Sequence, residues 1–172
     1  MFEESRRDEP GVAAHAYDPV TQPELFEGVL SRRVIAFLVD LFMIAVPLAL
    51  LAVFILVFGV VTLGLGWFLF FLFTPISVIW ALVYYGLTLG GSACATIGMR
   101  MVGLEMRTWY GGPMYFLLGA MHAVAFWLTV SLLTPFVLLV GLFNDRKRLL
   151  HDMLVGTVVI NAARAGAVRR PL

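Results

Sequence analysis

Residues 32–61 read RRVIAFLVDLFMIAVPLALLAVFILVFGVV, and the fold turns on what this stretch lacks. Asp40 is the one charged residue between Val34 and Met99, and none lies between Thr108 and Asn144. A helix needs about 20 predominantly apolar residues to cross a hydrocarbon core about 30 Å thick, and both runs exceed that. The chain has 172 residues, 61 % of them hydrophobic and 13 % charged. A soluble domain is nearer half apolar and a quarter charged. The sequence therefore predicts an integral membrane protein.

Other classes are disfavoured by the same composition. A net charge of +1 provides no global field for nucleic acid. The lone Cys94 rules out an intramolecular disulfide framework and a cysteine-based zinc cluster. Most of the 14 Phe, 8 Met and 4 Trp fall inside apolar runs, where packing or lipid contact accounts for them, and nothing points to a cofactor.

Outward from the opening stretch, residues 1–20 mix Glu3, Glu4, Asp8 and Glu9 with Arg6 and Arg7, and read as a disordered polar tail. No apolar segment follows the early arginines, as a cleaved signal would require. Thr21 as cap, Pro23 in the first turn and Glu24 three residues on predict a short helix. With Leu25, Phe26, Val29 and Leu30 on one face, it suits the membrane surface. Spans are expected over about 34–61 and 67–89, joined by the glycine turn Thr62–Gly66 into an antiparallel hairpin. Val102, Leu104 and Met106 then alternate with Gly103, Glu105 and Arg107, and Leu154–Ile160 alternates similarly. Since a lone strand leaves its backbone unpaired, the two are expected to form a small β ribbon outside the bilayer core.

The third apolar run, Met114–Phe143, is interrupted at Thr134-Pro135. Basic residues arbitrate its topology through their preference for the cytoplasmic side. Arg32 and Arg33 precede the first span, Arg100 and Arg107 follow the second, and Arg146, Lys147, Arg148, Arg164, Arg169 and Arg170 follow the third run. An even number of crossings keeps all of them, and both termini, cytoplasmic. The run is therefore expected to be a helical hairpin with arms at 114–133 and 135–143. One long tilted span kinked at Pro135 is the alternative. The expected whole is an all-α membrane protein: two full spans, a helical hairpin, the surface helix and the ribbon. Residues 21–161 make one transmembrane domain, and 162–172 a basic C-terminal tail.

Asp40 stands out chemically, because an acid at a helix centre in a bilayer costs about 2.5–3.5 kcal/mol on insertion scales. It reads as an ion or proton site, or as a structural lock paired with a basic residue of the following loop, Arg100 or Arg107. Arg33, seven residues earlier on nearly the same face, is too far along the helix for direct contact without long side-chain reach. His122, mid-run, fits a neutral histidine hydrogen-bonded between helices better than a proton relay. Asn144–Arg148 reads as a solvated basic cluster facing lipid headgroups. His151-Asp152 is a weak metal or acid–base pair, because neighbouring residues point differently and no third ligand is evident. Gly86 and Gly90 have the spacing for close helix packing.

Taken together, Arg33-Val-Ile-Ala36-Phe-Leu-Val-Asp40, Thr96-Ile-Gly98-Met-Arg100-Met-Val-Gly103-Leu104 and Asn144-Asp145-Arg-Lys-Arg-Leu-Leu-His151-Asp152-Met-Leu-Val-Gly156-Thr157-Val158-Val159 resemble the RDD family, small bacterial membrane proteins named for one arginine and two aspartates. The resemblance covers about residues 28–161. It implies that Arg33 is the family arginine, Asp40 the aspartate of the first helix and Asp152 the second aspartate, with Arg100, Asp145, His151 and Thr157 in supporting positions. Members often carry arginines at the start of the third run; Met114–Ala120 has none.

The resemblance implies a bacterial inner-membrane location, and some members have been proposed as sodium/proton antiporters. No nucleophile elbow, phosphate loop or catalytic triad is present in the sequence, so a non-enzymatic role without cofactor is expected. The leading expectation is an accessory or structural subunit that contacts lipid and associates with other membrane subunits or with itself. The alternative is a cation/proton antiporter titrating at Asp40.

Overall fold

A computed structural model describes residues 16–133 and 136–168 of the chain. Its first long element, α1 (Val29–Val61), starts at Gly28, whose φ of +66° suits glycine and breaks the chain direction. The helix includes Arg32 and Arg33, five residues earlier than the predicted span, because both guanidinium groups find partners inside the protein. After the turn at Thr62–Gly64 and a 3-10 turn at Leu65–Leu69 comes α2 (Phe70–Leu89). Both α1 and α2 are long and apolar enough to cross a membrane. At the tip of the hairpin Trp67 lies against Gly59, and its Nε1 donates to the Leu56 carbonyl at 3.3 Å.

The chain then makes α3 (Ile97–Met101), β1 (Leu104–Thr108), α4 (Phe116–Leu133), α5 (Phe136–Phe143), α6 (Leu150–Val155), β2 (Thr157–Asn161) and α7 (Ala162–Val168). β1 and β2 pair antiparallel, from Leu104 opposite Asn161 to Thr108 opposite Thr157. The expected ribbon therefore forms, although Leu154 and Val155 belong to α6, which Gly156 ends at φ +72°. Both faces of the ribbon are covered. Leu104, Met106 and Val159 join a core with α1, α2 and α4, while Val158 and Ile160 pack with Tyr17, Leu25, Phe26 and Ala165.

That second cluster corrects two expectations. Residues 23–25 make only a 3-10 turn, and Thr21 caps nothing, because Asp18 organises this turn by accepting from Val20 N and the Thr21 hydroxyl. Leu25 and Phe26 consequently face the ribbon and not a lipid surface. Residues 162–168 form a helix instead of a tail, since burying Ala165 over the ribbon gives the segment an apolar contact. The predicted N-terminal tail lies, up to residue 15, outside the described residues, as do the Thr134-Pro135 break and residues 169–172.

The third run gives two helices, α4 and α5, and α5 at eight residues spans only about 12 Å. Small residues set the crossing of α2 and α4. A Cβ at Gly86 would meet the Phe116 ring, one at Gly90 would overlap the Phe116 backbone, and one at Gly119 would lie 2.9 Å from the Tyr85 carbonyl oxygen. The Gly86/Gly90 spacing seen in the sequence thus serves a close helix contact.

Candidate functional site

Arg33 sits one turn into α1 and reaches the first turn of α6. Its Nη1 and Nη2 donate to Asp152 Oδ2 and Oδ1 at 2.5 and 2.9 Å, a two-pronged ion pair across 119 residues. The Asp152 side chain is fully buried and that of Arg33 is 12 % exposed. Asp152 also accepts the Leu149 backbone N–H at 2.9 Å, capping α6. Burial alone would raise the Asp152 carboxyl pKa. The Arg33 charge, His151 and the Arg33 hydrogen bonds outweigh it and hold that carboxyl below the usual carboxylate range.

Among the described residues Asp40 pairs with no cation, contrary to the expected lock. Its Oδ1 accepts the Tyr84 hydroxyl at 2.6 Å and the Gly98 N–H at 2.8 Å, and its Oδ2 accepts the Thr96 hydroxyl at 2.6 Å. The reason is geometric. α3 approaches α1 so closely that a Cβ at Gly98 would overlap the Ala36 carbonyl, leaving room for a backbone amide but not for an arginine. Arg100 is exposed and bonds the Ala95 carbonyl at 3.1 Å, while Arg107 pairs with Glu105 at 3.2 Å. The carboxylate therefore ties α1 to α2 and α3 through neutral donors.

Around Asp152 lies a second polar layer. His122 of α4 and His151 of α6 are both buried, with perpendicular rings whose centroids are 5.0 Å apart. Burial lowers the His151 pKa, outweighing the opposing pull of Asp152, to about 4. Thr129 Oγ1 is 3.5 Å from His151 Nδ1, and Thr157 Oγ1 is 3.4 Å from His122 Nδ1. Thus Thr157 and His151, supporting residues in the sequence reading, join Arg33 and Asp152. Asp145 is exposed and lies outside this group.

The predicted solvated basic cluster is partly internal. Arg148 is buried, donates to the carbonyls of Thr157 and Asp152 at 2.8 and 3.0 Å, and lies 4.0 Å above the Trp109 ring. Arg146 stacks on the same indole at 5.0 Å. Trp109 and Arg148 together hold the β1 exit against the start of α6. Sequence reading also passed over Asn161, whose Oδ1 accepts Arg32 Nη1 at 2.7 Å and whose Nδ2 donates to the carbonyls of Glu24 and Glu27 at 2.9 and 3.0 Å. Its position as the polar residue that directly follows the apolar run Val158–Ile160 is the available signal.

Between the first turns of α1 and the middle of α4 is a half-open cavity of about 380 Å³. Its walls are apolar, including Val34, Phe37 and Phe126, and Arg33, Asp40, His122 and His151 reach it. The arrangement combines a two-pronged ion pair, a carboxylate held by three donors and two buried imidazoles beside an apolar chamber. It can hold helices in register, and its imidazoles retain ligand capacity.

The sequence matches the RDD family over residues 28–156. No curated protein and no solved structure matches the chain.

Proposed function

Because this chain belongs to the RDD family, we propose that it is a bacterial inner-membrane protein acting as a non-enzymatic accessory subunit of a larger membrane complex. In this reading the signature residues form a lock. Arg33–Asp152 and the Asp40 hydrogen bonds fix the segment after α2 and the segment after α5 to the start of α1. The apolar outer faces of α1 and α2, including Phe42, Phe54, Phe71 and Ile79, then meet lipid or partner helices.

The observation that carries this reading is the environment of Asp40. Three donors, two hydroxyls and the Gly98 amide, converge on its carboxylate and tie α1 to α2 and α3. A cation approaching Asp40 Oδ1 has to displace its donors, and the Gly98 amide, fixed in the backbone, cannot turn away as a hydroxyl can. Topology fits the same picture. β1 follows α2, β2 follows α5, and they pair, which supports an even number of crossings with both termini cytoplasmic.

A cation/proton antiporter is the second reading, favoured by the cavity that brings Asp40, Arg33, His122 and His151 to one chamber. Two measurements on the full chain separate the readings. Sodium-driven proton movement in proteoliposomes that vanishes in Asp40→Asn would overturn the accessory role. Absence of flux, together with a stoichiometric membrane partner retained in mild detergent, is the expected result.

A further inference from the structure

Asp152 uses its two oxygens unequally. Oδ2 accepts Arg33 Nη1 at 2.5 Å and Leu149 N at 2.9 Å. Among the described residues Oδ1 accepts only Arg33 Nη2, at 2.9 Å, and faces His122 Nδ1 at 3.8 Å and His151 Nε2 at 3.7 Å. Those last separations are too long for hydrogen bonds. Thr129 Oγ1 donates to the carbonyls of Ala125 and Phe126, at 2.8 and 3.1 Å, and lies 3.5 Å from His151 Nδ1, with His151 Nε2 turned towards Asp152. Two imidazole nitrogens and a carboxylate oxygen therefore converge in a buried site at separations too long for bonds to one another.

We propose that His122, His151 and Asp152 bind one divalent first-row transition-metal ion of the Zn²⁺ class, with the Thr157 hydroxyl beside it. The three ligand atoms lie within 4.8 Å of one another. Atoms sharing a tetrahedral ion at about 2.0–2.1 Å stand about 3.4 Å apart, so the two histidine-to-Asp152 separations of 3.8 and 3.7 Å need to close by only a few tenths of an ångström, while the widest separation in the group closes by up to about 1.4 Å. The donor set, two imidazoles and one carboxylate, suits zinc, cobalt or nickel better than magnesium or calcium. Thr129 orients His151 and Arg33 orients Asp152, as outer partners do in metal sites. The guanidinium charge weakens the site without occupying the free lone pair of Oδ1. Both histidines line the cavity between α1 and α4, which gives an ion an entry path. The proposal is independent of the accessory-subunit reading.

The test uses the full chain in detergent, purified through a tag without histidine and stripped with chelator. Titration with Co²⁺ should develop the visible absorption of a tetrahedral imidazole site, saturate at one ion per chain and be reversed by Zn²⁺. His122→Gln and His151→Gln should each weaken binding at least about tenfold, and Thr129→Val about tenfold through orientation alone. His15→Gln, which changes the one remaining histidine, should leave binding unchanged. No cobalt absorption in the wild-type protein, or absorption retained in the His122→Gln/His151→Gln double variant, would overturn the proposal. If a histidine variant does not fold, the wild-type spectrum decides alone: imidazole-bound tetrahedral bands support the site and their absence overturns it.

Discussion

The ion pair between Arg33 and Asp152 joins residues 119 positions apart with no water-facing carboxylate oxygen left over. Removing one partner of a buried pair strands the other charge, which costs about 3–5 kcal/mol. Arg33→Ala should therefore lower unfolding stability in detergent by about that amount. Arg33→Lys should recover only part of it, because an ammonium cannot reproduce two parallel N–H bonds. Asp40 predicts a different pattern. A hydrogen bond to a charged acceptor contributes about 1.5–3 kcal/mol, so Tyr84→Phe should cost that much in the same assay. A double-mutant cycle with Asp40→Asn should show coupling, whereas Arg100→Ala, which removes an exposed side chain bonded to its own loop, should lie near zero. Asp40 was legible in the sequence, since an acid within an apolar run must be satisfied somewhere, whereas Asp152 stood out only through the family resemblance. Their partners were not, because Thr96, Gly98 and Tyr84 carry no charge and nothing in their spacing marks them as Asp40 ligands.

Elements formed where local signals agreed with packing and changed where packing overrode them. The hairpin of α1 and α2 and the β ribbon follow from apolar length, turn glycines and alternation. The amphipathic segment at 21–30 had the pattern of a surface helix, yet Gly28 at φ +66° divides it and the ribbon takes its apolar face. α7 had no periodic signal of its own and exists because the ribbon needed a second cover. Close contacts between elements lead to a prediction at this scale. A methyl group at Gly98 overlaps backbone, not a movable side chain, so Gly98→Ala should push α3 from α1 and cost about 1–3 kcal/mol. Limited proteolysis should then cut more readily within residues 90–103 than in the wild-type protein. Gly119→Leu should separate α2 from α4 by the same reasoning, with a comparable loss of thermal stability.

For the whole molecule, the buried polar layer predicts how stability responds to pH in the metal-free protein. Above about pH 6.5 His151 is neutral both folded and unfolded and contributes no pH dependence. As pH falls from 6.5 towards its folded value of about 4, the unfolded chain gains a proton that the native site refuses. Stability therefore drops across that window by on the order of 3 kcal/mol. Asp152, whose folded pKa lies below its ordinary value, adds a further loss below about pH 4, as the unfolded carboxyl takes up its proton first. Chemical unfolding in micelles between pH 8 and 3.5 reads both, and His151→Gln should flatten the upper part of the curve. The sequence by itself determined that the chain spans apolar surroundings, that two long helices form a hairpin, and that a ribbon follows. Those features depend on hydrophobic length, turn residues and alternation, all of which are local. Tertiary structure alone decided that Arg33 meets Asp152, that Asp40 is held by neutral donors, and that His122 completes a cluster with His151. Such pairings depend on how close two backbones come, which glycines and small residues set in three dimensions and no charge pattern along the chain records.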